Sequence, residues 1–462
     1  MESQNRIGRV PPHNDEAERA VLGSLLIDPN RSSDVAESLR PGDFYNSRHA
    51  LIFEALVHLL ERSEPIDFIS VGERLMAAGA LEKCGGRAYL LELTGAVSSA
   101  AHLKHHAKLV SQTATLRRLI LEATGIVERA YEVRPDGNNV KELVDESEHS
   151  IFQISDERNS TEADPIATVL QDTMRRIDSA SNRGGLVGLT SGFYDLDDMT
   201  SGWAGGQLII LAARPAMGKT AFVLNCMDHA AASNPVWMEG EDSKPVILFF
   251  SLEMGKQSVV SRMLCTRAKV DAHKLKTGHI PPDDYAELAR AADELSQLKV
   301  FIDDTPGISV MSMRSRARRI KKQNGGLNLI VVDYLQLMTH PKAESRQLEI
   351  SAISRSLKEL ARELDVPVIA LSQLSRAVES REDKRPMLSD LRESGSIEQD
   401  ADVVMMLYRP DYYNETDENR GTAEVIIGKQ RNGPTGTAKL QFFGSMMRFE
   451  NRAPSVAEPI AP

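Results

Sequence analysis

The sequence predicts an all-helical N-terminal domain, a linker helix and a C-terminal α/β domain with a mostly parallel central sheet. Two observations predict this fold class. From about residue 14 to residue 130, apolar residues recur at helical spacings of three and four, as at Ala17, Val21 and Leu25. From residue 186 onward, short apolar runs alternate with helical stretches.

The helical domain is predicted to span residues 1–154. Ile52, Leu56 and Leu60 continue the helical spacing, and residues 116–130 repeat it without a proline. A stretch of that length predicts a long helix or one arm of a helical hairpin. The domain has no cluster of catalytic residue types, so we expect it to serve assembly or partner binding.

A linker is predicted at residues 155–185, where SDERNSTEAD and NRGG are polar or flexible. Between them, residues 165–178 form a helix whose apolar stripe cannot stay in water. That stripe packs either on the next domain of its own chain or on a neighbouring subunit. Its members are Ile166, Val169, Leu170, Met174 and Ile177.

Composition excludes several classes of protein. The 462 residues suffice for two or three domains of roughly 150 residues. No membrane-length apolar run or signal-peptide pattern occurs, so we expect a cytoplasmic protein with no membrane partner. The three scattered cysteines argue against a disulfide framework or a zinc site. A net charge of -11 argues against a broad basic surface that coats duplex DNA, but not against a channel lined by local cations.

Seven short apolar runs predict the strands of the C-terminal domain, residues 186–453, and a disordered tail follows at 454–462. Runs that are apolar on both faces are typical of a buried, largely parallel sheet with helices on both sides. The runs are QLIILAA, PVILFFS, LKVFIDD, LNLIVVD, VPVIALS, DVVMMLY and AEVIIG.

The strongest local signal is ARPAMGKT at Ala213–Thr220, which follows a predicted strand and precedes a helix predicted to begin at Ala221. Such a turn cradles phosphates with backbone N–H groups. Lys219 is expected to reach the β- and γ-phosphates of a nucleotide, and the Thr220 hydroxyl is expected to bind Mg²⁺. The alternative is a chance GKT at a helix start.

The first glycine of the usual pattern is replaced by Ala213, so the turn must avoid positive φ at that position. The residues expected to contact the nucleotide and its Mg²⁺ are Arg214, Pro215, Ala216, Met217, Gly218, Lys219, Thr220, Ala221 and Asp333.

Three other predicted strands end in groups that suit this chemistry. Asp333 closes LIVVD and is the expected carboxylate for the Mg²⁺ shell. Glu253, after PVILFF, is the expected group to orient or deprotonate the attacking water. Gln373, after VIALS, is either a γ-phosphate sensor or a structural hydrogen-bonding group.

Two stretches of cations suggest further roles. In GKQRNGP, Lys429 and Arg431 suit a trans-acting arginine finger at a subunit boundary, or are solvated surface charges. The segment 376–395 follows the Gln373 strand and is rich in cations but has no aromatic residue. We expect it to contact DNA phosphates, with little sequence preference and strong salt dependence.

The basic stretch at 314–322, RSRARRIKK, is the competing candidate for DNA, and a solvated helix face is the other interpretation. Tyr408 and Arg409, after DVVMML, are candidate neighbours of the nucleotide base.

Together these motifs resemble the DnaB family of bacterial replicative helicases, whose core is RecA-like. The resemblance covers about residues 11–450. It rests on PPHNDEAERAVLGSLLID, ARPAMGKT, SLEM, VVDYLQLM, SQLSR, DLRESGSIEQDAD and KQRNGP in family order.

The resemblance implies a homohexamer with a collar of N-terminal domains and a motor ring that hydrolyses ATP with Mg²⁺. Translocation would run 5′ to 3′ on single-stranded DNA at the replication fork, near the nucleoid. Implied partners are primase, a helicase loader and the clamp-loader subunit of the polymerase holoenzyme. The linker helix would dock on the next subunit, and Lys429 and Arg431 would act on the adjacent subunit's ATP. Residues implied to contact DNA are Arg392, Glu393, Gly395 and, in the same segment, Arg381.

Two rival functions share parts of this pattern. A recombinase of the RecA or RadA type has the same motor core, but the long helical N-terminal domain and the GKQRNGP loop argue against it. A self-modifying ATPase of the circadian-clock type predicts two tandem P-loop domains, and this sequence has one P-loop. A pure scaffold or loader would not need the full catalytic set.

Overall fold

A computed structural model describes residues 10–31, 38–62, 64–95, 102–156, 187–233, 244–338 and 345–452, with isolated residues between them. The chain divides into two compact units, Met1–Glu162 and Ala163–Pro462. The predicted tail and most of the predicted linker lie outside the described residues. Three members of the linker stripe, Ile166, Leu170 and Met174, are described, and each is helical and more than half exposed.

The first unit contains helices and no strand among its described residues. Helix α5 runs for 30 residues and packs against α6, which confirms the predicted long helix and its helical hairpin. The helices are α1 (Asp15–Ile27), α2 (Ser47–Glu61), α3 (Phe68–Ala77), α4 (Gly86–Gly95), α5 (Leu103–Glu132) and α6 (Gly137–Asp156).

A buried carboxylate connects three parts of this unit. Glu18, on α1, is only 1% exposed and accepts hydrogen bonds from the backbone N–H groups of Tyr45 and Asn46. Its Oε2 also lies 2.7 Å from Nδ1 of His49, whose Nε2 lies 2.8 Å from the Tyr89 hydroxyl on α4. Because buried polar groups are costly unless they are paired, this network fixes α1, α2 and α4 to one another.

The second unit is built on a nine-stranded sheet with the order β3-β2-β4-β5-β1-β6-β7-β8-β9. The first six strands are parallel to one another, and the last three pair antiparallel. The strands are β1 (Leu208–Ala213), β2 (Ile247–Ser251), β3 (Val300–Asp303), β4 (Leu329–Asp333), β5 (Val368–Gln373), β6 (Val403–Tyr408), β7 (Thr422–Gln430), β8 (Gly436–Phe443) and β9 (Arg448–Asn451).

Helices cover both faces of this sheet, as the two-sided apolar runs predict. Alternate residues of β1 enter two separate cores, with Ile209 in one and Ile210 in the other. The helices are α7 (Tyr194–Thr200), α8 (Lys219–Ala232), α9 (Lys256–Ala268), α10 (Ala272–Thr277), α11 (Pro282–Ser296), α12 (Val310–Gln323), α13 (Arg346–Leu364), α14 (Gly395–Asp400) and α15 (Pro410–Tyr413).

All seven predicted strands are present, but some details of the prediction were wrong. Helix α8 begins at Lys219 rather than Ala221, because Gly218 takes the left-handed conformation that starts it. Strand β7 extends through Lys429, so that residue belongs to a strand and not to a loop. Strands β8 and β9 were not predicted.

The basic helix α12 is not simply a solvated face. Arg314 is 8% exposed and pairs with Glu363 at 3.1 Å, and Arg316 pairs with Asp303. These cations fasten α12 to neighbouring elements. The three cysteines are buried and unpaired. Among the described residues, no helix is long and apolar enough to cross a membrane.

Replacing Glu18 by alanine should destabilise the N-terminal unit by about 3–5 kcal/mol, because it leaves buried donors without their acceptor. The measurement is hydrogen exchange in increasing urea on the full chain, followed in α1 and α2. Glu92→Ala is the matched control, since its ion pair with Arg19 is exposed and should contribute less than about 1 kcal/mol. Equal effects of the two changes would contradict the proposed role of the buried network.

Candidate active site

The ARPAMGKT turn that is predicted to bind phosphates, called the phosphate-binding turn below, joins β1 to α8 at the carboxyl edge of the parallel strands. Ala213 belongs to β1, and the positive φ angles fall instead on Ala216 (65°) and Gly218 (92°). The expectation that the turn avoids positive φ at Ala213 is therefore confirmed. A Cβ on Gly218 would lie 3.2 Å from Phe449, so the turn also packs closely against β9.

Three side chains converge beside this turn. The Thr220 hydroxyl donates a hydrogen bond of 2.7 Å to Oδ2 of Asp333, at the end of β4. The Lys219 ammonium donates to the Ser372 carbonyl at 3.3 Å and lies 4.8 Å from the centre of the Tyr334 ring. Strand β5, which carries Ser372, lies between β1 and β4, so the register of three parallel strands sets this arrangement.

Burial opposes the charges at this site. It raises the pKa of the Asp333 carboxyl, while the Thr220 hydrogen bond and the Lys219 charge act to lower it. Burial also lowers the pKa of the Lys219 ammonium, against the charges of Asp333 and Glu253. Both groups are therefore poised to gain from a ligand of opposite charge.

One oxygen of Asp333 is buried in the structure without a hydrogen-bond donor. Oδ1 is buried and has no hydrogen-bond partner, although Oδ2 is bonded to Thr220. A buried carboxylate oxygen without a partner costs free energy unless something binds it. A hydroxyl and a carboxylate are ligands that Mg²⁺ accepts, so these two residues fit the expected ion.

A cavity of about 710 Å³ opens over the turn. Glu253, two residues beyond the end of β2, and Gln373, the last residue of β5, both line it as expected. Arg409, a candidate neighbour of the base, also lines it and lies 4.4 Å from the Phe442 ring centre. Lining residues that were not predicted are Arg262, Tyr334, Phe442, Gly444 and Met447.

Phe442 and Met447 were missed because β8 and β9 were not predicted. Only the aromatic and methionine run FFGSMMRF could have drawn attention to them. Tyr408 does not line this cavity; its ring stacks on Tyr413, 6.1 Å away.

Arg214 also lines the cavity, but its guanidinium already has two protein partners. It donates to the Leu374 carbonyl at 2.8 Å and to the Glu379 carboxylate at 2.9 Å. The side chain is 9% exposed.

Lys429 and Arg431 lie at the opposite edge of the sheet and do not line the cavity. Lys429 pairs in register with Val404, near the start of β6. The preceding residue of β6, Val403, is level with Ile209 of β1. The two cations donate to the carbonyls of Glu398 and Gln399, at the end of α14. Ile209 is four residues before the phosphate-binding turn, which places the cations roughly 13 Å from it along the strand direction.

The predicted DNA segment follows β5 as short 3₁₀ turns, Arg376–Ser380 and Leu388–Ser394, and leads into α14. Arg381 pairs with Asp390 at 2.7 Å, so its charge is engaged within the segment. Gly395 is the first residue of α14. The side chains of Arg392 and Glu393 lie outside the described part of the structure.

Comparison with known proteins assigns the chain to a family. The model of the DnaB-like helicase N terminal domain matches residues 10–112, and that of the C terminal domain matches residues 188–451. The chain belongs to the DnaB family of replicative DNA helicases. It is 46% identical over 446 residues to the replicative DNA helicase DnaB of Geobacillus stearothermophilus, covering 96% of this chain and 95% of that protein.

Other members of the DnaB family agree with this assignment. The replicative DNA helicase DnaB of Haemophilus influenzae is 44% identical over 452 residues, 96% of this chain and 94% of that protein. A solved DnaB-like replicative helicase, described with its interactions with primase, is 38% identical with a TM-score of 0.73. The alignment covers 95% of this chain and 100% of that one. The chain is thus an ATP-dependent DNA helicase, and the family predicted from the motifs is confirmed.

Asp333→Asn should stabilise the nucleotide-free helicase while lowering its ATP turnover about 100-fold or more, since a bound Mg²⁺ contributes several kcal/mol to such reactions. The raised pKa means that the folded state binds the Asp333 proton more tightly than the unfolded chain does. The stability of the wild-type protein therefore falls as pH rises from the ordinary value of 3.8 through the raised pKa.

The melting temperature of Asp333→Asn should accordingly exceed that of the wild type at pH 7.5 with a chelator present, and the difference should shrink at lower pH. Asp417→Asn, at an exposed position, is the control and should change neither quantity. An unchanged melting curve together with normal turnover would argue against the site.

Proposed function

We propose that this helicase binds ATP with Mg²⁺ in the cavity over Lys219 and Thr220, and that hydrolysis drives a ring of six subunits 5′ to 3′ along one DNA strand. The observation that carries the proposal is the convergence of Lys219, Thr220 and Asp333, with Oδ1 of Asp333 buried and unpaired. Such a site costs stability when empty and is relieved by a cation and a polyphosphate.

Each group at the carboxyl edge has a role in this proposal. Backbone N–H groups of residues 216–221 and the Lys219 ammonium would hold the phosphates, and Thr220 with Asp333 would hold Mg²⁺. A bound Mg²⁺ would neutralise charge on the phosphate oxygens. Glu253 is exposed at the cavity wall, where its carboxylate can accept a proton from the attacking water. Gln373 contacts the γ-phosphate and reports its loss to the segment that follows.

Lys429 and Arg431 act on the ATP of a neighbouring subunit in this proposal. Their position at the opposite edge of the sheet from their own phosphate-binding turn supports a role in trans. A site completed by two subunits joins hydrolysis to the contact between them. The exposed apolar residues Ile166, Leu170 and Met174 support docking of the linker helix on the next subunit.

Single-stranded DNA runs through the ring in this proposal, and Arg392, Glu393, Gly395 and Arg381 belong to the segment that approaches its backbone. The N-terminal unit forms the collar and recruits primase, as the primase-interacting relative suggests. A loader and the clamp-loader subunit of the polymerase holoenzyme complete the set of partners. The helicase works in the cytoplasm, at replication forks of the nucleoid.

A forked duplex with a 5′ single-stranded tail should be unwound in an ATP-dependent reaction, and a fork with only a 3′ tail should not. Lys219→Ala should abolish unwinding, because the variant lacks the cation that holds the phosphates. Lys439→Ala, at an exposed position on β8, is the matched control and should unwind normally. Hydrolysis of ATP by loaded hexamers without any fork opening would disprove the helicase mechanism and favour a recombinase.

Arg431→Ala should retain nucleotide binding but lose ATP turnover by roughly 10³-fold, because a trans-acting arginine stabilises the charge of the transition state. Arg420→Ala, whose side chain is 77% exposed, is the control and should keep its turnover.

Mixing Arg431→Ala with Lys219→Ala subunits tests the trans arrangement directly. An interface that combines the intact P-loop of one variant with the intact Arg431 of the other should regain activity, so mixed rings should hydrolyse ATP faster than either parent. If mixing restores nothing while the subunits are shown to exchange, Arg431 does not act in trans.

A further inference from the structure

The side chain of Arg214 connects the phosphate-binding turn to the predicted DNA segment. Its guanidinium donates to the carbonyl of Leu374, the residue after Gln373, at 2.8 Å. It also donates to Oε1 of Glu379, in the first 3₁₀ turn of the segment, at 2.9 Å. Arg214 immediately follows β1 and belongs to the phosphate-binding turn. Any shift of the turn therefore moves the guanidinium that holds Leu374 and Glu379.

The segment beyond Glu379 is folded as one compact body. The backbone N–H of Ser375 donates to the carbonyl of Asp390 at 2.9 Å, which closes the segment on itself. The Asp390 carboxylate is 4% exposed and accepts hydrogen bonds of 2.7 Å from Arg381 and from the N–H of Met387. Val378 and Leu391 are buried in the hydrophobic core on one face of the sheet. Residues 374–391 should therefore move together.

The opposite end of this body is attached to the antiparallel strands. Arg385 pairs with Glu424 on β7 and donates to the Thr437 hydroxyl on β8 at 3.1 Å. The body is thus attached to the antiparallel strands through Arg385, while its other end continues directly from β5 and is held by Arg214. A rigid element with such attachments can pivot on the sheet when the turn shifts.

We infer that the Arg214–Glu379 pair is the positioning contact that transmits the nucleotide state of the turn to Arg392, Glu393 and Gly395, the residues proposed to contact DNA. This inference rests on the proposed function, in which those residues contact DNA. Glu379 does not line the cavity over the turn, so it acts through Arg214. When the phosphate-binding turn shifts, the Glu379 carboxylate determines how far residues 374–391 move with it.

The geometry makes this contact stronger than an ordinary surface ion pair. Arg214 is 9% exposed and Glu379 is 47% exposed, so the guanidinium is shielded from water and the carboxylate only partly so. Removing the Glu379 charge leaves a buried guanidinium without its counter-charge, and solvent does not readily replace this loss. Since Glu379 itself is half exposed, its replacement should leave the fold intact.

The test uses a quantity that a merely structural contact would not change. The affinity of the full-length hexamer for a fluorescent oligo(dT) is measured by anisotropy with and without a non-hydrolysable ATP analogue. The ratio of the two dissociation constants is the coupling between nucleotide and DNA, and the same factor must describe the effect of DNA on nucleotide binding. A loss of fold or of segment stability would weaken both affinities and leave their ratio unchanged.

Glu379→Gln should reduce this ratio at least about five-fold toward one, while basal ATP hydrolysis without DNA stays within about two-fold of the wild type. Glu382→Gln, an exposed glutamate three residues further on, is the matched control and should keep the wild-type ratio. Arg214→Gln also removes the bond to the Leu374 carbonyl, so it should lower the ratio at least as far. The double variant should lower it no further than Arg214→Gln alone, because the Glu379 contact is already lost in that variant.

A wild-type ratio in Glu379→Gln would overturn the inference, as would additive effects of the two single variants. Arg392→Ala separates this failure from a failure of the proposed function. If Arg392→Ala binds oligo(dT) as tightly as the wild type, the DNA assignment of the segment fails, and the inference fails with it. If Arg392→Ala weakens DNA binding and Glu379→Gln keeps its coupling, only the positioning role is disproved.

Discussion

The parallel register of β1, β5 and β4 is the constraint on which the candidate active site depends. Each strand ends at the same edge of the sheet, so the phosphate-binding turn, Ser372 and Asp333 meet without any long connection. Helices on both faces exclude water from the strands and hold this register. A slip of one residue in β5 would turn its side chains to the other face and separate Lys219 from its carbonyl partner.

That edge also concentrates groups that are costly to bury. Oδ1 of Asp333 lacks a partner, and burial disfavours the charge of both Asp333 and Lys219. Ala216 adds a left-handed backbone conformation that a residue with a Cβ adopts at a cost. The extensive apolar cores below the edge supply the stability that tolerates these features. The site is therefore preorganised for a charged ligand, and this preorganisation lowers the stability of the ligand-free protein.

Sequence patterns predicted the parts that depend on local signals. The seven apolar runs became β1 to β7, although β3 is only partly buried. The strand–GKT–helix order located Lys219 and Thr220, and the end of the run LIVVD located Asp333. Strands β8 and β9 were missed because GTAKLQFF and RFEN lack an apolar run like those of the predicted strands. Phe442 and Met447 were lost with them. The partners of Arg214 and the buried Arg314 depend on contacts distant in sequence, which no local pattern encodes.

The return of β7 along β6 has a consequence for how the enzyme is controlled. It carries Lys429 and Arg431 back to the edge of the sheet opposite the chain's own phosphate-binding turn. If these cations serve the adjoining site, a single subunit can bind ATP but cannot hydrolyse it. ATP hydrolysis then starts only after neighbouring subunits have assembled. Dilution, incomplete assembly or a ring held open during loading would each slow it. This dependence of ATP hydrolysis on assembly would require no separate regulator, because it follows from the antiparallel direction of β7.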